Sequence, residues 1–271
     1  MALDHYRIDG PTVISFSGGR TSGYLLRKVL DAHGGTLPDD AAVLFQNTGK
    51  EREETLVFIE EVSQRWGVPI TWLEWQKDDP KYRVVDFETA SRGGEPFEEL
   101  IAWKKYLPNP IARICTQYLK VDCAARYVRG EIGWPEWDTM IGIRHDEPRR
   151  WRIEGVNEKN KAETRTLPLR HAGIGEAGVL KFWAAQPFDL SLRRWEGNCD
   201  LCFLKGKAKR LRILEDHPGM GGWWARMEGD RSATFRSGDP YRALIALAEN
   251  QLRLPLVLDD PTDLGECLCH D

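Results

Sequence analysis

Short apolar runs rich in β-branched residues alternate with amphipathic stretches through the first half of the chain. The runs that predict strands are residues 12–16, 41–45, 68–75 and 139–143. Residues 24–30 and 51–66 carry apolar side chains at helical spacing, which predicts helices between these strands. Continuous apolar strands are typical of parallel sheets that are buried on both faces. The pattern therefore predicts an α/β fold with a parallel sheet and helices on both faces.

The second half of the chain has a different pattern. Residues 76–110 are charged and contain several prolines, which indicates a loop with one short helix. Residues 147–163 are highly polar and are predicted as a mobile surface loop. The helices predicted after them cover residues 175–185, 206–215, 223–228 and 239–251. We therefore divide the chain into an α/β domain, residues 1–146, and a helical C-terminal region, residues 147–271.

Composition and charge narrow the class of protein. The chain has 271 residues, of which 41% are hydrophobic and 30% charged, so it is suited to a sizeable core and not to disorder. Its net charge of −4 excludes the global basic field of many nucleic-acid-binding proteins. No run approaches the roughly 20 apolar residues that cross a bilayer, and the polar N-terminus does not resemble a signal peptide. We expect a cytoplasmic protein with no membrane partner.

A glycine-rich turn follows the first predicted strand and opens the first predicted helix. Its residues are Ser17, Gly18, Gly19, Arg20, Thr21 and Ser22. Glycines let the backbone approach a ligand, and the N–H groups at a helix start favour an anion. The turn is neither a Walker loop nor a Rossmann fingerprint, because both spacings fail. An ordinary strand-to-helix turn with a hydroxyl cap is the competing interpretation.

Five separated blocks carry a family resemblance. After the turn come residues 47–55 (NTGKEREET), 113–120 (RICTQYLK), 142–150 (GIRHDEPRR), 197–202 (GNCDLC) and 266–270 (ECLCH). Together they resemble the phosphoadenosine phosphosulfate (PAPS) reductase-like branch of the PP-loop ATP-pyrophosphatase superfamily. The resemblance implies an adenine nucleotide alpha hydrolase-like fold and an enzyme that binds ATP or a sulfonucleotide, with magnesium as a candidate companion ion.

The resemblance also assigns residues to the nucleotide. Besides the turn at residues 17–22, the implied nucleotide-binding residues are Asn47, Thr48, Gly49, Arg149 and Arg150. Arg144 is implied as a catalytic residue. The three arginines follow a predicted strand, at the end where open α/β sheets bind ligands, and guanidinium groups match phosphate oxygens.

Six cysteines invite a disulfide interpretation, which a reducing cytosol disfavours. The spacing of Cys199 and Cys202 suits either one metal ion or a redox dithiol, whereas Cys123 is interpreted as a small buried hydrophobe. The resemblance implies a 4Fe-4S cluster held by Cys115, Cys199 and Cys202, with Thr116 at the position of a fourth cysteine. Zinc is the alternative metal. The fourth ligand stays open between Cys123, two tail cysteines and an unligated iron.

The tail cysteines add a second candidate chemistry. In sulfonucleotide reductases, a cysteine in a motif like that of Glu266, Cys267 and His270 attacks the sulfur of the substrate. Cys267 is therefore a candidate nucleophile, and Cys269 is a candidate ligand or resolving thiol. A terminus without fixed structure is the competing interpretation.

Two reactions follow from these motifs. In one, ATP adenylates a substrate and sulfur is transferred to a nucleic acid or a small molecule. In the other, PAPS or adenosine phosphosulfate is reduced and sulfite is released, with a thiol or an electron-donor protein as partner. The complete PP-loop favours ATP. A nucleotide-binding module with structural zinc is a third hypothesis, and a homo-oligomer is compatible with all three.

The basic residues that follow the Cys-x-x-Cys motif are a candidate nucleic-acid surface, and aromatic residues lie further along the chain. The cations are Lys205, Lys207, Lys209, Arg210 and Arg212, which are predicted as the outer face of a helix. Trp223, Trp224 and Phe235 are predicted as core residues.

Overall fold

The computed structural model describes residues 4–193 and 195–250. Seven strands in this part of the chain form one sheet in the order β4-β3-β2-β1-β5-β7-β6. The strands are β1 (Thr12–Ser15), β2 (Ala41–Asn47), β3 (Ile70–Glu74), β4 (Arg83–Val85), β5 (Trp137–Ile141), β6 (Gly155–Val156) and β7 (Glu163–Thr166). The pairs β1–β2, β2–β3, β1–β5 and β5–β7 are parallel, and only β4 and β6 pair antiparallel within this sheet.

Helices cover both faces of the sheet. They are α1 (Arg20–Ala32), α2 (Glu53–Trp66), α3 (Glu95–Lys104), α4 (Cys123–Tyr127), α5 (Pro168–His171), α6 (Glu176–Ala184), α7 (Lys207–Asp216), α8 (Gly222–Arg231) and α9 (Tyr241–Asn250). π-Helical turns, Cys115–Asp122 and Val128–Ile132, flank α4. None of the helices in the described ranges is long and apolar enough to cross a membrane.

Alternating side chains of the strands build two cores. Ile14 belongs to a core that includes side chains of α1, α2 and α6, and Val13 belongs to a second core that includes side chains of α3, α4 and α7–α9. Both side chains are at most 3% exposed, as the continuous apolar pattern of the strands requires. The predicted α/β fold with helices on both faces and a helical C-terminal region is confirmed.

The polar segments contain more structure than predicted. Residues 147–163, predicted as a mobile loop, include a 3-10 helix at Pro148–Ile153 and the strand β6, and β7 begins at Glu163. The prediction of a loop was wrong for these parts, because β6 is held by antiparallel pairing to the polar strand β7, and backbone pairing needs no apolar pattern. The sheet continues past residue 146, and the predicted two-domain division stays a prediction.

The C-terminal helices follow the predicted pattern, with one correction. Trp224 and Phe235 are core residues, at 1% and 0% exposure, and Trp223 packs against them. Arg210, predicted on the outer face, is fully buried, pairs with Asp239 and lies 5.5 Å from the Tyr241 ring centroid. Because two of its cations point inward, Lys205 being the other, the predicted basic patch is not a continuous surface.

Candidate functional site

A cavity of about 130 Å³ lies where β1 and β5 end and α1 begins. Open α/β sheets bind ligands at this edge, between strands whose connections run in opposite directions. The polar residues that line it are Ser15, Ser17, Arg20, Thr21, Ser22, Arg144, Arg150, Glu176, Arg193 and Asn198. We call this cavity the loop pocket.

The turn between β1 and α1 is shaped by its glycines and by Ser22. Gly18 has φ of +74°, and a Cβ atom there would lie 2.6 Å from Cγ2 of Thr55. Both the backbone conformation and the lack of space therefore disfavour any larger residue at this position. The Ser22 hydroxyl accepts from the N–H groups of Ser17 and Gly19 at 3.2 and 3.3 Å. The turn therefore holds its amides and hydroxyls together at the amino end of a 13-residue helix, the arrangement that favours an anion.

The arginine predictions separate into two groups. Arg144 and Arg150 are buried and line the loop pocket, whereas Arg149 is exposed and is not among the described residues that line it. Arg144 donates from Nη1 to the Thr21 hydroxyl at 3.3 Å, which joins the β5 end to the turn. Arg20 lines the pocket but donates from its guanidinium to Asp189, so its cation holds the 189–192 segment.

Carboxylates balance the two buried arginines. Arg144 Nε lies 2.9 Å from Asp146, and Arg150 Nη1 lies 2.7 Å from Glu147. Burial tends to raise the pKa of Asp146, but the hydrogen bonds from the Glu176 N–H and from Arg144 lower it overall. Asp146 therefore stays ionised and orients Arg144 towards the pocket.

The block after β2 lies beside the pocket and not in its lining. Asn47 is fully buried and donates to Glu74 at 2.6 Å, and its Oδ1 accepts from the Gly49 N–H at 3.0 Å. Thr48 donates to the Glu51 carboxylate at 2.9–3.0 Å. The structure therefore places the predicted residues Asn47, Thr48 and Gly49 in a buried network that positions Glu51.

Three of the cysteines lie in one region of the structure, where Cys199 is buried and Cys115 and Cys202 are half-buried. Cys199 forms an antiparallel bridge with Glu51, and its Sγ lies 3.8 Å from Glu51 Oε1. Burial, reinforced by the neighbouring Cys202 thiol, raises the pKa of Cys115 to about 12. Burial also raises the pKa of Cys199, against the opposing influence of Lys120. The predicted set Cys115, Cys199 and Cys202 is thus brought together.

Two lysines accompany these thiols. Lys120 Nζ lies 3.8 Å from Glu51 Oε1; burial alone lowers its pKa, but Cys199 and Glu51 raise it overall. Lys205 donates to the carbonyls of Cys199 and Asp200, and burial lowers its pKa. These lysines oppose the effect of burial on the thiols but do not overcome it, so the pKa values of Cys115 and Cys199 stay raised.

The other cysteines lie elsewhere. Cys123 is fully buried in the apolar core, as predicted for a small hydrophobe. Cys267 and Cys269, with the rest of the tail motif, lie outside the described residues.

The donor chemistry of the three thiols fits an iron–sulfur cluster or zinc, since both are held by thiolates. Within residues 4–193 and 195–250, however, no group of three or more His, Cys, Asp or Glu side chains is already arranged to hold a metal ion. A metal at this site would have to draw the thiols closer together.

Asn198 joins the cysteine region to the loop pocket. Its Nδ2 donates to the Ser17 carbonyl at 2.9 Å, and its carbonyl accepts from the Arg52 N–H at 2.8 Å. A Cβ atom on Gly19 would lie 2.8 Å from Asn198 Nδ2, so glycine is needed for this approach. Sequence reasoning missed Asn198, Glu51 and Arg193, although Asn198 directly precedes the first cysteine of Cys-x-x-Cys.

The sheet, the turn and the buried arginines together form an α/β fold with an anion-favouring pocket at the carboxyl ends of its strands. A search of protein-family models finds no match. The chain is 32% identical over 217 residues to the uncharacterized nin region protein ORF290 of Escherichia phage lambda, covering 77% of this chain and 71% of that protein. The chain belongs to the family of this phage protein.

Two solved structures were also found to be similar. PAPS reductase from Candida auris, in a phosphate complex, has a TM-score of 0.47 at 16% identity, over 69% of this chain and 81% of that chain. FMN adenylyltransferase from Candida glabrata, in complex with FAD and inorganic pyrophosphate, has a TM-score of 0.39 at 17% identity, over 70% of this chain and 53% of that chain.

Proposed function

We propose that the protein is a PP-loop enzyme that binds ATP, adenylates a substrate and transfers sulfur to it. The observation that carries this proposal is the hydrogen bond from Asn198 to Ser17, because it joins the Cys-x-x-Cys turn directly to the phosphate-binding turn. One residue further on, Cys199 lies against Glu51. These contacts support the proposal that nucleotide and thiol chemistry share one site.

The loop pocket is suited to the adenylation step. The amides and hydroxyls of residues 17–22 would hold the pyrophosphate of ATP at the helix start. Arg144 and Arg150 would neutralise charge that develops when a substrate oxygen attacks the α-phosphorus and pyrophosphate leaves. A magnesium ion bound to the phosphates is part of the proposal.

The three thiols are suited to the sulfur step. We assign Cys115, Cys199 and Cys202 as the ligands of a 4Fe-4S cluster, with zinc as the alternative metal. When bound, such a cluster supplies an iron site for sulfur. Asn198 and Glu51 position the Cys199 end of the ligand set, and Lys120 and Lys205 supply positive charge beside it.

A sulfonucleotide reductase is the second candidate. It is favoured by the spacing of Glu266, Cys267 and His270, which suits a tail nucleophile. In that reaction the Cys267 thiolate attacks the sulfur of the sulfonucleotide, and sulfite is released after reduction by a thiol.

Replacing Ser17 by alanine tests the ATP assignment. We expect ATP binding, measured by calorimetry, to weaken about tenfold, since a hydrogen bond to a charged group contributes about 1.5 kcal/mol. Pyrophosphate release, measured with a nucleic-acid or metabolite fraction as sulfur acceptor, should fall with it. Ser63→Ala, on α2 and outside the loop pocket, serves as the matched control. Sulfite release from PAPS that Cys267→Ser abolishes would contradict this assignment.

Replacing Cys199 by serine tests the metal assignment. Protein purified without oxygen should contain iron and sulfide and absorb visible light. The Cys199→Ser variant should lose most of the iron and the sulfide. Cys123→Ala is the matched control, because Cys123 lies in the apolar core, and it should keep the iron. A colourless protein loaded with zinc would contradict the iron–sulfur assignment and support the binding-module hypothesis.

A further inference from the structure

The lining of the loop pocket has a polar part and an apolar part. The polar part includes the turn of residues 17–22 and the two buried arginines. Most of the apolar part comes from two later segments. Val179 and Leu180 lie on α6, and Leu190 and Leu192 lie in the irregular segment that follows α6. We call these four side chains the apolar wall, and we call residues 189–192 the strap.

The strap belongs to no helix or strand, so side chains must hold its backbone in place. Arg20, in the turn, donates from Nε and Nη2 to the Asp189 carboxylate at 2.7 and 2.8 Å. It also donates from Nη1 and Nη2 to the Leu192 carbonyl at 3.3 and 3.2 Å, and from Nη2 to the Leu190 carbonyl. The guanidinium therefore fixes the backbone that carries both leucines of the apolar wall.

The backbone of Arg20 holds the other segment of the apolar wall. Its carbonyl accepts a hydrogen bond from Trp183 Nε1 at 2.7 Å, and Trp183 lies on α6, which also carries Val179. A Cβ atom on Gly23 would lie 2.7 Å from Cζ2 of Trp183, so the first turn of α1 packs closely against α6. Arg20 thus connects the start of α1 to both segments that form the apolar wall.

The direction of its donors distinguishes Arg20 from a phosphate ligand. All three nitrogens of the guanidinium donate to the strap. The pair with Asp189 is bidentate, so the carboxylate also neutralises the positive charge. If Arg20 turned to a phosphate, these contacts would break and the strap would lose its anchor.

We propose that Arg20 is a positioning residue, which holds the apolar wall in place to receive the base of the nucleotide. The assignment rests on the proposed function, in which ATP occupies the loop pocket. ATP has the same two parts as the lining. Its phosphates suit the turn and the buried arginines, and the flat apolar faces of its base suit the apolar wall. Arg20 therefore sets the preference for a nucleotide over an inorganic polyphosphate.

Inorganic tripolyphosphate is the probe for this role, because it has the phosphates of ATP and no base. Calorimetry of the full chain with each ligand, in excess magnesium, gives the ratio of the two affinities. Arg20→Lys keeps the positive charge but cannot donate to Asp189 and to both carbonyls at once. We expect the preference for ATP to fall about fourfold, the effect of losing about one buried methylene contact from the base, while tripolyphosphate affinity stays within about twofold.

Asp189→Ala breaks the same contact from the side of the strap and leaves the turn unchanged. It should lower the preference for ATP by a similar factor, and it keeps the test decisive if Arg20→Lys does not fold. Arg27→Lys is the matched control. Arg27 also lies on α1 and pairs with an aspartate, Asp31, at 2.8 Å, but it is not among the residues that line the loop pocket. We expect Arg27→Lys to leave the preference for ATP unchanged.

Three results would overturn the proposal. Equal losses of affinity for ATP and for tripolyphosphate in Arg20→Lys would make Arg20 a phosphate ligand. An unchanged preference in Asp189→Ala would show that the strap does not contribute to the binding of the base. A parent protein that binds ATP no more tightly than tripolyphosphate would show that the base is not recognised. The measurements depend on binding and not on turnover, so a lack of pyrophosphate release would contradict the proposed reaction and leave this result unchanged.

Discussion

Replacing Arg144 by alanine is expected to lower kcat/KM for pyrophosphate release from ATP by about 100- to 1,000-fold. Removal of one preorganised donor to developing charge costs about 2.7–4 kcal/mol in other enzymes, and Arg144 is buried, where such a donor acts most strongly. Its guanidinium is oriented by Asp146 at 2.9 Å and contacts the Thr21 hydroxyl at 3.3 Å. The measurement is steady-state pyrophosphate release at several ATP concentrations.

Arg149→Ala is the matched control for this prediction. Arg149 lies five residues further along, in the 3-10 helix Pro148–Ile153, but its side chain is exposed and does not line the loop pocket. We expect its kcat/KM to stay within about twofold of the parent. Equal losses of kcat/KM in Arg144→Ala and Arg149→Ala would contradict the assignment of Arg144, and not Arg149, to the loop pocket.

Apolar periodicity was sufficient to predict the central strands and the long helices. The runs at residues 12–16 and 41–45 became β1 and β2, because strands buried on both faces must be apolar throughout. The same rule could not find β4 or β7. Their residues, RVV and ETRT, lie towards the sheet edges, where backbone pairing and not side-chain burial decides the structure.

The part of the candidate site that could be predicted is the turn whose backbone shape requires particular residues. The turn at residues 17–22 can be recognised because glycine and serine are required locally. The hydrogen-bond partner of a long polar side chain cannot be predicted from the residues next to it in the sequence. Arg20 binds Asp189, and Asn47 binds Glu74, across 169 and 27 positions of the chain. Such contacts depend on which elements the fold brings together.

The network around Asn47 has a structural role that also serves the site. Asn47 connects the end of β2 to Glu74 at the end of β3, and it accepts from the Gly49 N–H. The turn of residues 47–51 then presents Glu51 to Cys199. A substitution of Glu74, the fully buried carboxylate of this network, should therefore lower the stability of the fold. Its effect on the thiols should be a consequence of that loss.

Replacing Glu74 by alanine is expected to lower the free energy of unfolding by about 2–4 kcal/mol, because the Asn47 amide and the Ser91 N–H lose their shared acceptor, at about 1–3 kcal/mol for each buried donor left unpaired. Glu74 is fully buried and accepts from Asn47 Nδ2, from the Ser91 N–H at 2.6 Å and from Arg83 Nε at 2.9 Å. Urea unfolding followed by circular dichroism measures the loss. Glu53→Ala removes another carboxylate paired with an arginine, but that side chain is 54% exposed, so we expect a loss of about 0.5 kcal/mol. Similar losses of unfolding free energy in Glu74→Ala and Glu53→Ala would show that burial does not determine how much the Glu74 network contributes to stability.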